Sequence, residues 1–123
     1  MKLSLSENNN SYVINAYSTG NFTIRGQLYE GSQLVTPTDA PLCWEAKSLK
    51  DVSIESFNDF TISELEMVLL GTGASLDFPE DAVIEWFSDQ NIGLEIMDTA
   101  AACRTYNLLL AEERKVLAAL LSI

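Results

Sequence analysis

Residues 67–73 read Met-Val-Leu-Leu-Gly-Thr-Gly, and residues 93–107 read Gly-Leu-Glu-Ile-Met-Asp-Thr-Ala-Ala-Ala-Cys-Arg-Thr-Tyr-Asn. The run 67–70 is apolar without alternation and stops at a glycine turn, the pattern of a strand buried on both faces. Pro79 then opens a helix whose first-turn acids, Glu80 and Asp81, complement its dipole. Ala82, Val83, Trp86 and Phe87 form one apolar arc of that helix, and Asp81, Glu85, Ser88 and Asp89 the solvated one. Asn91 and Gly93 mark its end, residues 94–97 form a second strand, and Asp98 is placed to cap a helix over residues 99–111. Strand, helix, strand and helix in so short a span predict a right-handed crossover between two parallel strands.

Upstream the period changes to two. Phe22, Ile24 and Leu28 fall on one face of an extended segment, with Thr23, Arg25, Gln27 and Tyr29 on the other. Residues 18–21, Ser-Thr-Gly-Asn, supply a turn that pairs it with residues 12–17 as a β-hairpin. Glu30-Gly31 makes a second turn before a short strand at 32–36, and Pro37, Asp39 and Pro41 interrupt regular structure. Alternation resumes at 42–46, with Leu42, Trp44 and Ala46 on one face. Ile54, Phe57 and Phe60 recur every third residue, which predicts a short helix capped by Asp51 or Ser53. The tail from Arg114 favours helix by its Leu and Ala content, although Glu112-Glu113 would equally serve as a turn before a final strand.

Composition limits the function. Seven Lys and Arg against 18 Asp and Glu leave a formal net charge of −11, which repels nucleic acid and anionic lipid. The chain has no His, and its two Cys form no CxxC pair, so neither a zinc site nor a disulfide framework is expected. The expected metal and cofactor content is none. Residues 1–11 form an asparagine-rich arm with no apolar signal core, and residues 12–123 a single α/β domain. Apolar runs are too short to span a bilayer, and free cysteines point to a reducing cytoplasm.

Gly71, Thr72 and Gly73 lie where open α/β sheets form a ligand crevice, at the carboxyl end of a strand. The third glycine of a dinucleotide fingerprint is absent, and Glu80 and Asp81 would repel a pyrophosphate. On the helix 99–111, Thr105, Leu109, Ala102, Tyr106, Leu110 and Cys103 form an apolar side widened by Leu108 and Ala101. Asn107 and Arg104 form its narrow polar stripe. One reading is structural: Arg104 pairs with an acid such as Asp98, and Asn107 bonds backbone near the 71–73 turn. The other is functional: both line a crevice over the strand ends, where Arg104 holds a carboxylate or phosphate. Cys103 reads as a small buried hydrophobe whose thiol the neighbouring Arg104 would make slightly more acidic; without His it has no base.

The strings 69–73 and 93–107, with Phe78-Pro79 and the tail from Arg114, resemble an uncharacterised-domain family, the Mth938-like domains. Its members include the mitochondrial respiratory complex I assembly factor three and the adipogenesis-associated domain protein. The arm and Glu112-Glu113, where relatives often carry Gly, depart from the family pattern. The resemblance implies one α/β domain with a central mixed sheet, flanking helices and an additional β-hairpin layer. It also implies that the tail is a strand antiparallel to its neighbours. It brings no enzymatic activity and no catalytic residues. The function it implies is a non-catalytic protein-binding module, with membrane-complex subunits or assembly proteins as partners. The alternative from a different class is a small-molecule site or enzyme at Gly71, Thr72, Gly73, Asp98, Arg104 and Asn107.

Overall fold

The parallel strand pair expected from residues 67–97 is present in the computed structural model, which describes residues 11–58, 60 and 62–123. Residues 1–10 of the expected arm lie outside the described residues. The chain runs β1 (Ile14–Ser18), β2 (Asn21–Ile24), β3 (Gln27–Glu30), β4 (Gln33–Val35), β5 (Leu42–Cys43), β6 (Met67–Gly71), α1 (Asp81–Asp89), β7 (Gly93–Met97), α2 (Thr99–Ala111) and β8 (Val116–Leu120). β1, β2 and β3 form a three-stranded antiparallel sheet, and the other five form a mixed sheet in the order β5-β4-β8-β6-β7. β6 pairs in parallel with β7, Met67 opposite Gly93 through Gly71 opposite Met97.

The centre of the five-stranded sheet, β6 and β8, is buried on both sides. Leu69, Val116, Ala118 and Leu120 point into a core shared with α2 and the three-stranded sheet, which supplies Ile14, Phe22 and Ile24. Val68, Leu70, Leu117, Ala119 and Leu121 point the other way, against Val83 and Phe87 of α1 and Phe57. Phe57 meets Phe87 edge-on at 5.1 Å between centroids.

Several elements depart from the expectations. The extended segment 22–29 is two strands, because Arg25 (φ 49°) and Gly26 (φ 79°) both take left-handed conformations and make a two-residue hairpin turn. The turn sets Leu28 opposite Thr23, so Leu28 leaves the face of Phe22 and Ile24 and is 61% exposed. Residues 42–46 keep only the two-residue edge strand β5, with Leu42 exposed and Ala46 buried. The segment around Ile54 and Phe57 is not an α-helix but a series of 3₁₀ turns at Leu49–Asp51, Ile54–Phe57 and Ile62–Glu64. A spacing of three is the period of a 3₁₀ turn, whose i and i+3 side chains eclipse. Ser53 is the N-cap of the second turn, its N–H donating to Ser56 Oγ (3.2 Å), whereas Asp51 accepts from the Lys47 N–H (2.9 Å). Pro79 is buried two residues ahead of α1, and Ala82 is exposed.

The tail is a strand, not a helix. β8 is parallel to β6 and antiparallel to β4, so the antiparallel expectation holds on one side only. Its helix-favouring composition comes from packing: all five residues are buried, and its alanines leave room for layers on both faces.

The hairpin register has a direct test in urea unfolding. Leu28→Thr should change stability by less than about 0.5 kcal/mol, whereas Ile24→Ala should lower it by about 2–5 kcal/mol. Equal losses would contradict the register.

Candidate functional site

α2 begins where the sequence places it, with the Asp98 carboxylate accepting from the Ala101 N–H at 2.8 Å. The next residue, Thr99, is fully buried and closes the turn after β6. Its Oγ1 accepts from the Gly73 N–H (2.8 Å) and donates to the Leu121 carbonyl (2.7 Å). Around it the Thr99 N–H donates to the Gly73 carbonyl (2.9 Å), the Thr72 N–H to Met97 (2.8 Å) and the Leu121 N–H to Gly71 (3.0 Å). The amides of Thr72 and Gly73, which a phosphate-binding turn would present to a ligand, are therefore engaged within the protein.

Gly71 is required by the same contact. A Cβ there would stand 2.9 Å from Thr99 Oγ1 and 3.0 Å from Thr99 Cα, so α2 rests on the bare backbone of β6. Gly73, at φ 98°, makes the left-handed turn that follows. The two glycines serve close packing and a turn.

The remaining candidate residues do not converge on this turn. Asn107 is buried, and its amide binds Ile14 on both sides: Oδ1 accepts from the Ile14 N–H (3.0 Å) and Nδ2 donates to the Ile14 carbonyl (2.9 Å). The expected backbone bond of Asn107 exists, but on β1 rather than beside Gly71–Gly73. Tyr106 adds a bond from its hydroxyl to the Tyr12 carbonyl at 2.8 Å. Arg104 is exposed, and among the described residues it forms no ion pair, with Asp98 or any other acid. Leu108, expected on the buried arc, is also exposed, because α2 is covered only where it faces β6, β7, β8 and β1.

Burial dominates at Cys103. It pushes the thiol up to about 12, and the opposing influence of Arg104 is smaller, so the residue is a protonated core side chain at neutral pH. Cys43 is exposed. Among the described residues, no three His, Cys, Asp or Glu side chains cluster to hold a metal ion.

A cleft of about 650 Å³ opens at the opposite end of the sheet, between Pro37, Phe60, Leu110, Glu113 and Lys115. None of the sequence candidates lines it. Nearby, Glu66 accepts from the Lys115 N–H (2.7 Å) and from Arg114 Nε (3.2 Å), and the backbone bond, followed by Arg114, holds its carboxyl below the usual glutamate range. Thr99 is the residue sequence reasoning missed. Its one local signal is a hydroxyl in the first turn of an otherwise alanine-rich helix start.

Comparison with known proteins follows the same boundaries. The family model described as protein of unknown function (DUF498/DUF598) matches residues 14–121. The chain is 38% identical to NADH dehydrogenase (ubiquinone) 1 alpha subcomplex assembly factor 3 of Danio rerio, over 89% of this chain and 63% of the relative. It thus spans about six-tenths of the length of the curated relatives it matches. A crystal structure of a Bordetella parapertussis protein superposes with a TM-score of 0.83 at 26% identity, covering 92% of this chain and 97% of that one. The solution structure of a Bordetella pertussis protein, described as a Mth938-like domain, shares the fold with a TM-score of 0.79 at 24% identity, covering 99% of this chain and 92% of that one.

Two measurements check the site. Thr99→Val keeps the shape but strands the Gly73 N–H and the Leu121 carbonyl, and should cost about 2–4 kcal/mol in urea unfolding. In the native protein a thiol reagent should modify Cys43 and leave Cys103 untouched until denaturant is added; rapid native labelling of both would contradict the burial of Cys103.

Proposed function

The chain belongs to the family described as protein of unknown function (DUF498/DUF598), and on that premise we propose that it is a non-catalytic protein-binding module that assists the assembly of other proteins. The observation that carries this reading is its similarity, over 89% of its length, to a relative named as an NADH dehydrogenase (ubiquinone) subcomplex assembly factor. The geometry supports it. The turn at which an α/β sheet would offer backbone donors to a ligand has its Thr72 and Gly73 amides already bonded, and the cysteine on α2 is buried and protonated.

Its partners are proteins, subunits of a membrane complex or their assembly proteins. Among the described residues no helix is long and apolar enough to cross a membrane. The two cysteines are unpaired, which suits a reducing compartment such as the cytoplasm. The alternative, a small-molecule site at Gly71–Gly73 with Arg104 and Asn107, requires the Thr99 bridge to open and Asn107 to release Ile14.

Affinity purification of the tagged chain from its native cell, read by mass spectrometry, should recover a reproducible set of proteins. Hydrolase, transferase and redox assays should stay at background. Arg104→Met, a change at an exposed side chain, should alter stability by less than about 0.5 kcal/mol. Turnover of any substrate that this variant abolishes would replace the binding reading with an enzymatic one.

A further inference from the structure

Charge is distributed unevenly along the chain. Of the 18 acidic residues, 12 fall between Asp51 and Asp98, and no Lys or Arg occurs between Lys50 and Arg104. Within that segment the loop from Thr72 to Glu80 exposes two large apolar side chains, Leu76 at 55% and Phe78 at 61%. Local hydrogen bonds brace the loop that carries them. Thr72 Oγ1 donates to the Ser75 carbonyl (2.7 Å) and accepts from the Asp77 N–H (3.2 Å). The Phe78 N–H donates to Asp77 Oδ1 (2.8 Å), and the next residue, Pro79, is buried.

Asp77 lies between these two side chains in sequence, Glu80, Asp81 and Glu85 follow them, and all four are exposed. None of them forms an ion pair among the described residues. An aromatic and a leucine held outward on an ordered loop have the character of binding anchors, since little conformational entropy remains to be lost on docking. The surrounding charge then selects the occupant. A second copy of this chain would bring an equally acidic face against this one, and nucleic acid or anionic lipid would be repelled. A protein segment carrying Lys and Arg beside apolar side chains is complementary in both respects.

We propose that Leu76 and Phe78, framed by Asp77, Glu80, Asp81 and Glu85, form the docking surface for a basic, amphipathic segment of a partner protein. The proposal rests on the protein-binding reading above and assigns it a place and a chemistry. The apolar pair supplies residence on the surface, and the acids accelerate encounter and discriminate against acidic partners.

The test titrates the isotope-labelled full chain with a short helical peptide of Leu and Lys, followed by amide shifts in NMR. A Leu and Glu peptide and a Lys, Gly and Ser peptide serve as controls. Shifts should concentrate at residues 74–81 and along α1, weaken as salt rises, and be far smaller with either control. The double variant Leu76→Ser, Phe78→Ser removes only exposed side chains and should bind the Leu and Lys peptide about tenfold or more weakly with an unchanged melting temperature. Glu80→Lys with Asp81→Lys should weaken it similarly. Shifts spread over the whole surface, or centred on Arg104 and Leu108, would overturn the proposal, as would parental affinity in the double variant. The same double variant is then compared with the parent in the native purification. Loss of the parent's partners supports this surface, and full retention overturns it while leaving the protein-binding reading intact. A parent that recovers no partner at all sinks that reading instead, and the peptide titration alone then decides the surface.

Discussion

The hydroxyl of Thr99 fixes how closely α2 lies on the sheet. By accepting from Gly73 and donating to Leu121 it ties the ends of two neighbouring parallel strands, β6 and β8, to the first turn of the helix. The approach is near enough that Gly71 has no room for a side chain. A buried hydroxyl with both its donor and its acceptor satisfied is specific in a way that apolar packing is not, since sliding the helix would strand polar groups on both partners. The same bonds leave the strand-end turn with little to offer a ligand. In this domain the position that many α/β proteins devote to binding is devoted to helix placement.

Once α2 is placed, it positions the second sheet. The Asn107 amide pairs with Ile14 as a strand's peptide group would, one donor and one acceptor on one residue. It does so where the β1–β2 register shifts, between Ile14 and Ala16. A helix side chain thus covers part of the free edge of β1, and the Tyr106 hydroxyl extends the attachment to Tyr12. Ile14, Phe22 and Ile24 complete it with apolar contact. One helix organises both sheets, through Thr99 on one and Asn107 on the other.

What was legible in the sequence was what local chemistry decides. Asp98 as a cap and α2 over Thr99–Ala111 follow from an acid ahead of a helix-forming run, and the parallel β6–β7 pair follows from the connection between them. The partners of Thr99 and Asn107 were not legible, because Leu121 is 22 residues from Thr99 and Ile14 is 93 from Asn107. Arg25 hid a turn, since a non-glycine residue at φ 49° carries no compositional mark. β8 resembled a helix because space between two packed layers, rather than backbone preference, selected its alanines. Of the candidate site residues, Gly71, Gly73, Asp98 and Asn107 hold the fold, while Arg104 faces solvent.

The position of β8 has a consequence for how the domain is made. It follows every other strand in the chain yet lies between β4 and β6, so Gln33 pairs with Leu120 across most of the sequence. During synthesis β4 and β6 leave the ribosome without their common neighbour, each with an unsatisfied edge and apolar faces on both sides. The five-stranded sheet can close only after α2 has been translated and β8 has been inserted between strands already waiting for it. Such long-range closure slows folding and prolongs the exposure of apolar strands. A protein of this topology keeps apolar strand edges open until its last strand has been made.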